Sequence, residues 1–181
     1  MRLADYNPTQ TTPFTTFEKI KSRIWKLVNA SIFRLLPYNC RGYRRFLLNL
    51  FGAKISKTAS IDRKARIDFP WNFTIGEFSS VGENTWIYCL DKIKIGEKTC
   101  IGEDVYLITG SHDLNSKSFS LVTKPIIIGD GVWLSTGVKV LAGVKIGDFG
   151  VAGAFSSILK NIPPNEVWAG VPAKFIKKRF S

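Results

Sequence analysis

The sequence predicts an all-β chain, a parallel β-helix of about five coils, with a helical segment before it and a short helix or arm after it. Three observations predict this. An aliphatic residue recurs every sixth position, a glycine follows it in seven of fifteen repeats, and a small residue or Val stands four positions after it in twelve of the fifteen. The anchors run Ile55, Ile61, Ile67, then Ile75, Val81, Ile87, then Ile95, Ile101, Leu107; after an interruption come Ile128, Leu134, Val140, then Ile146, Ala152, Ile158. Neither a helix period of 3.6 nor simple strand alternation produces a period of six. A three-sided prism does, with one short strand and one corner per hexad and three hexads per coil. The anchor points inward, and a glycine beside it is expected to let the chain turn sharply. The small residue also points inward, near a corner too narrow for a large one. A right-handed β-helix has longer and less regular coils, and a sandwich needs turn signals every eight to twelve residues.

The flanks differ in kind. Residues 1–52 form a basic amphipathic helical segment, in which Ile20, Ile24, Leu27, Val28, Phe33, Leu35 and Leu36 alternate with Lys19, Lys21, Arg23, Lys26 and Arg34 before Pro37. Residues 53–162 form the β-helix, with a protruding loop at 109–125. Residues 163–181 form a basic tail. Two extra residues before Ile75 and two before Ile95 are absorbed by small protrusions at a corner.

Net charge is +12, but it is not uniform: residues 1–54 hold ten Lys/Arg against two Asp/Glu, residues 55–159 eleven of each, and residues 160–181 five Lys/Arg against Glu166. A basic end can meet nucleic acid, an anionic membrane surface or a phosphorylated ligand. No stacking platform or reading motif supports nucleic acid, so no nucleic-acid partner is expected. Three cysteines, Cys40, Cys89 and Cys100, show no CxxC pair; they read as reduced thiols of a cytoplasmic protein. The first residues lack an apolar signal-peptide region.

The period fails between Leu107 and Ile128, where the chain carries its one histidine, His112. A loop that interrupts a regular solenoid is where function concentrates. One histidine cannot supply the three that zinc-dependent γ-class carbonic anhydrases use on the same kind of column, so no metal is expected.

Three stretches carry a resemblance: TGSHD at Thr109–Asp113, KPIIIGDGVWLSTGVKVLAGVKIGD at Lys124–Asp148, and NIPPNEVWAGVPAKFIKKR at Asn161–Arg179. In this order and spacing they resemble the hexapeptide-repeat acetyltransferases, nearest the colanic-acid-biosynthesis branch and close to galactoside, maltose and nodulation-factor acetyltransferases. The opening MRLADYN is similar to that branch too. The resemblance implies a left-handed helix, a homotrimer, and transfer of an acetyl group from acetyl-CoA to a hydroxyl of a sugar or polysaccharide precursor. Such a hydroxyl is a poor nucleophile until its proton is removed, and imidazole as a side-chain type suits that task, typically contributing about 10²–10⁴-fold. By resemblance His112 is the base, and transfer is direct in a ternary complex.

For the acceptor, the resemblance and the pattern point to Tyr88, Asp91, Asp113 and Trp133. Asp113 either orients the ring or caps the turn. Asp91 either binds sugar or is a surface corner residue, at a point where the chain is expected to bulge. Trp133 lies near a neighbouring subunit's histidine or is an interface aromatic. For acetyl-CoA the resemblance implies Trp133, Ser135, Gly137, Gly153, Ala154, Ser157 and Lys160, with Lys174, Lys177, Lys178 and Arg179 meeting the phosphates. The sequence departs from the family's pattern at Ser135, Phe155 and Cys89; Phe155 bears on the donor groove and Cys89 on the acceptor. The N-terminal segment either caps the first coil against edge pairing or lies on the inner membrane face as a peripheral contact. A non-catalytic trimeric scaffold or membrane-associated interaction module is the alternative.

Overall fold

The computed structural model of the chain describes residues 6–8, 14–35, 37 and 39–181. Leu36 of the amphipathic pattern, and Met1–Asp5 of the MRLADYN opening, lie outside the described residues. Five coils of three short strands stack into one column. The first holds β1 (Lys54–Ile55), β2 (Ser60–Ile61) and β3 (Arg66–Asp68), and the second β4 (Phe73–Ile75), β5 (Ser80–Val81) and β6 (Trp86–Tyr88). The third holds β7 (Ile93–Ile95), β8 (Cys100–Ile101) and β9 (Tyr106–Ile108). A hairpin, β10 (Gly110–His112) and β11 (Leu121–Thr123), then leaves the column. The fourth coil is β12 (Ile126–Ile128), β13 (Trp133–Leu134) and β14 (Lys139–Val140), the fifth β15 (Lys145–Ile146), β16 (Val151–Ala152) and β17 (Ser157–Ile158). An Ile146–Ile162 bridge and β18 (Glu166–Gly170), parallel to β16, begin a sixth turn. The tail is an extended arm: β19 (Ala173–Lys178) folds back antiparallel on β18.

Register is set by the anchors. On the first face Ile55, Ile75, Ile95, Ile128 and Ile146 lie one above the next. On the third, Ile67, Ile87, Leu107, Val140 and Ile158 do the same. All ten are buried, each contributing about 1.5–3 kcal/mol by leaving water. Within the column the small inward positions are buried, from Ala59 and Ala65 to Val138 and Ser156; Ser111, four residues after Leu107, is exposed because it lies in the hairpin that leaves the column. Where they carry hydroxyls, these are satisfied by the next coil: Ser79 Oγ donates to the Gly96 carbonyl at 2.7 Å, Thr85 Oγ1 to Gly102 and Thr99 Oγ1 to Gly129, both at 2.8 Å.

The glycine after the anchor has a different role from the one its position suggests. The sharp turn is made two residues later, at left-handed backbone positions held by Phe78, Asn84, Lys98, Asp104, Gly131, Gly137, Gly143, Phe149 and Phe155. There the N–H reaches the coil beneath: Phe149 N–H donates to the Asp130 carbonyl at 2.7 Å, and Phe155 N–H to Thr136 at 2.8 Å. Those bonds offset the roughly 1–2 kcal/mol that the left-handed conformation costs a side-chain-bearing residue. The glycine beside the anchor is needed because backbones nearly touch. A Cβ on Gly82 would sit 2.6 Å from the Gly102 carbonyl carbon and oxygen, and one on Gly76 would sit 2.7 Å from those of Gly96.

The extra residues are taken up by a 3-10 turn at Pro70–Asn72 and a bend at Leu90–Asp91. Helix α1 (Thr16–Ala30) opens on a Thr15–Glu18 capping box; α2 (Ile32–Leu35) and α3 (Arg41–Leu50) follow. These helices lie on the first coil, α1 against β3 and α3 against β1 and β2. That coil's outer carbonyls have no strand beyond them. Polar side chains reach them instead: Trp25 Nε1 donates to Ile67, Asn29 Nδ2 to Ala65, Arg44 Nε to Ile61 and Arg45 to Ala59. The face α1 turns inward is therefore Ser22, Trp25 and Asn29, and not its aliphatic stripe.

Because the Gly82 contact is backbone on backbone, Gly82→Ala is expected to destabilise the column by about 1–3 kcal/mol. A fall in thermal midpoint of several degrees checks this, with Gly42→Ala in α3, which meets only the far end of the Arg45 side chain, as the control whose midpoint should not fall.

Candidate active site

The loop leaves the column at Thr109, a buried residue that ties its base. Thr109 Oγ1 donates to the Tyr88 carbonyl at 2.7 Å and accepts from the Asp91 N–H at 3.0 Å, while its carbonyl accepts from the Lys124 N–H at 3.0 Å. Both strands of the loop thus spring from one buried hydroxyl-bearing residue, and β12 still stacks directly on β7. The hairpin pairs Ser111 with Val122 and His112 with Leu121.

His112 is exposed but held. Its Nδ1 lies 2.8 Å from the Phe119 carbonyl, and its ring stacks on the Phe119 ring at 4.3 Å, with 4° between planes. Phe119 reaches both contacts through a left-handed backbone, φ 47°. A carbonyl only accepts, so Nδ1 carries the hydrogen, and Nε2 of the neutral ring keeps its lone pair. Asp113 accepts from the Asn115 N–H at 3.0 Å, capping the turn; the Phe119 carbonyl orients the imidazole.

His112, Asp113, Val122 and Lys124 line a groove of about 600 Å³ with Leu141 and Leu159 of the column. Tyr88 and Asp91 stand at the loop's base, linked to it through Thr109. Burial, then the Asp68 carboxylate, push the Tyr88 phenol up, with Arg66 opposing, so at neutral pH it is a neutral hydroxyl. Leu159 also borders a second groove of about 350 Å³, lined by Lys160, Trp168 and Lys174. Lys177 is exposed on β19, while Lys178 is engaged by Glu166 at 2.8 Å. Arg179 donates to the Gly131 carbonyl at 2.7 Å.

The remaining residues lie elsewhere on the protomer. Trp133, 48% exposed, and Ser135 belong to the second face, with β13, and Ser157 to the third, with β17. Gly137 sits under the Phe155 ring, Gly153 against Ala169, and Ala154 at an exposed corner. Thr109, Phe119 and Lys124 escaped residue-level reading. Phe119 has no sequence signal, since its role is its carbonyl; Thr109 could have been noticed as a hydroxyl heading the break in the repeat. Among the described residues no three of His, Cys, Asp or Glu form a group that could hold a metal ion.

These features can be set beside known proteins. Over 160 residues the chain is 44% identical to the colanic acid biosynthesis acetyltransferase WcaF of Escherichia coli (strain K12), covering 88% of each. It belongs to the hexapeptide-repeat acetyltransferase family. The galactoside O-acetyltransferase of the same organism is 33% identical over 129 residues, 66% of this chain and 64% of that one. A galactoside acetyltransferase structure in complex with coenzyme A superposes with a TM-score of 0.84 at 26% identity, covering 93% of this chain and 85% of that one. A hexapeptide-repeat acetyltransferase from Vibrio cholerae O1 biovar eltor, complexed with acetyl-CoA, gives 0.83 over 95% and 94%; at 23% identity it shows the shared fold, the left-handed parallel β-helix. No family model matches the chain.

All three cysteines are free. Burial, then Asp68, push the Cys89 thiol well up, which keeps it protonated and unreactive. A thiol titration with a disulfide reagent at pH 8 is expected to label exposed Cys100 in the folded protein and Cys89 only on unfolding.

Proposed function

We propose that this acetyltransferase moves the acetyl group of acetyl-CoA to a hydroxyl of a sugar or polysaccharide precursor, with His112 as general base. The observation that carries the reading is the posture of His112: Nδ1 is spent on the Phe119 carbonyl, which leaves Nε2 as the proton acceptor on a side chain lining the groove. Nε2 takes the acceptor hydroxyl's proton as the oxygen attacks the thioester carbonyl. The tetrahedral adduct then collapses, the C–S bond breaks, and the imidazolium returns its proton to the departing thiolate. Acceptor and donor are both bound during this direct transfer. The buried, protonated Cys89 is no nucleophile for a covalent route.

The two grooves that share Leu159 fit the donor. The acetyl end would lie by His112 and the phosphates by Lys160, Lys174 and Lys177, with Trp168 between. Tyr88, Asp91 and Asp113 would hold the acceptor around the loop's base. Trp133 and Ser135 go with the second face, away from the third-face strands β14 and β17 that lead into Leu141 and Leu159 of the groove, so a complete site needs a neighbouring copy; this supports a homotrimer with sites between protomers. Free cysteines suit the reducing cytoplasm as the place of action.

Acetyl-CoA turnover over a panel of sugars and glycolipids, with His112→Ala beside the parent, tests the reading. Loss of about 10²–10⁴-fold in kcat with an unchanged far-UV spectrum is expected. Unchanged turnover would remove His112 from the chemistry, and absence of acetyl-CoA binding by the parent would leave a scaffold. Lys174→Ala is expected to raise KM for acetyl-CoA severalfold while leaving kcat nearly unchanged, because a phosphate contact acts equally in ground and transition states.

A further inference from the structure

Helix α1 is built with its aliphatic face outward. Its inward positions, Ser22, Trp25 and Asn29, are spaced to meet the free carbonyls of the first coil. Phe17, Ile20, Ile24 and Leu27 then fall at the spacing i, i+3, i+7, i+10 on another face, and all are exposed, Phe17 and Leu27 each to 72%. The stripe does not end with α1. Leu50, 65% exposed, and Phe51 close a groove of about 300 Å³ with Phe17, Ile20 and Ile24, and Ile32, Leu35 and Phe46 extend the exposed apolar surface over α2 and α3. No helix among the described residues is long and apolar enough to cross a membrane.

Charge says what covers this surface. Residues 1–54 carry ten Lys/Arg against two Asp/Glu. Lys19, Arg23 and Lys26 are exposed on α1 beside the stripe, while Lys21 is drawn over the Trp71 ring at 4.6 Å. Copies of so basic a segment repel one another, whereas an anionic headgroup layer attracts them. An apolar stripe flanked by Lys and Arg on a helix lying flat matches an interfacial helix, whose apolar face sinks about 5–10 Å into the headgroup boundary.

We propose that the N-terminal helices dock this protein on an anionic lipid bilayer, with Phe17, Ile20, Ile24, Leu27 and Leu50 entering the interface and Lys19, Arg23 and Lys26 meeting the headgroups. The helices cover the first-coil end of the column. The His112 loop leaves after the third coil, two coil steps or roughly 10 Å further from the bilayer, so docking leaves the groove open. The docking stands apart from the transferase reading, because it rests on the helices alone.

Co-sedimentation of the full chain with phosphatidylcholine vesicles, with and without phosphatidylglycerol, tests it. Binding to the anionic vesicles only, weakening steeply as salt rises, is the expected result. The triple variant Ile20→Gln/Ile24→Gln/Leu27→Gln, at exposed positions, should weaken binding at least about tenfold while its far-UV spectrum and oligomeric mass stay those of the parent. Lys19→Gln/Arg23→Gln/Lys26→Gln should weaken it by at least about tenfold as well. Either of two binding results would overturn the proposal: no binding of the parent to anionic vesicles, or apolar-variant binding equal to the parent's. A fall in oligomeric mass of the apolar variant would overturn it too, by assigning the stripe to an interface between copies.

Discussion

Everything in this protein depends on how closely successive coils approach. Where Gly76, Gly82, Gly96 and Gly129 lie over the coil above, there is no room for a Cβ. That contact brings the strands into hydrogen-bonding register on all three faces at once and sets the anchors in vertical files. It also lets buried hydroxyls such as Thr85 and Thr99 reach the neighbouring coil's carbonyls, so polar groups inside the column are satisfied and not merely hidden. The corners, by contrast, tolerate Phe, Lys and Asp, because at Lys98, Asp104, Phe149 and Phe155 the N–H of the left-handed residue is secured by the coil beneath.

A column so regular has two problems, its ends and its function, and the chain handles both without disturbing the stack. At the first coil the unpaired carbonyls are met by the indole of Trp25, the amide of Asn29 and the guanidinium groups of Arg44 and Arg45. Recruiting polar groups inward leaves the aliphatic residues of α1 outward, so the chemistry of the β-helix end decides the surface character of the helices. At the other end β18 and β19 continue the second face and close it as a hairpin. The excursion from Thr109 to Pro125 joins two coils that remain paired to each other, so the loop is added to the column and not cut into it.

That arrangement gives a mobile-sounding element a rigid function. The loop is itself a paired hairpin, its base is bound to a buried threonine, and its histidine is held by a carbonyl on one edge and an aromatic ring on one face. The imidazole is thereby held in one tautomer, with Nε2 left open, which is the posture that the proposed proton transfer needs.

The sequence by itself determined the column. Fifteen anchors at a period of six, with small inward residues four positions on, admit one packing solution, because burial of a six-residue repeat is a local, repeated condition. It also determined that His112 lies in the one long break of that repeat, and family membership rests on motifs that are contiguous in the chain. Only the tertiary structure decided the rest. The glycines beside the anchors serve interchain-like close contact between coils and not the turn, a distinction that depends on what lies one coil, eighteen or more residues, away. Phe119 acts through a backbone carbonyl, which every residue possesses, so no side-chain pattern marks it. The inward face of α1 was set by orphaned carbonyls some forty residues downstream, at Ala65 and Ile67, and hydrophobic periodicity carries no information about hydrogen-bond acceptors that a distant edge leaves unpaired.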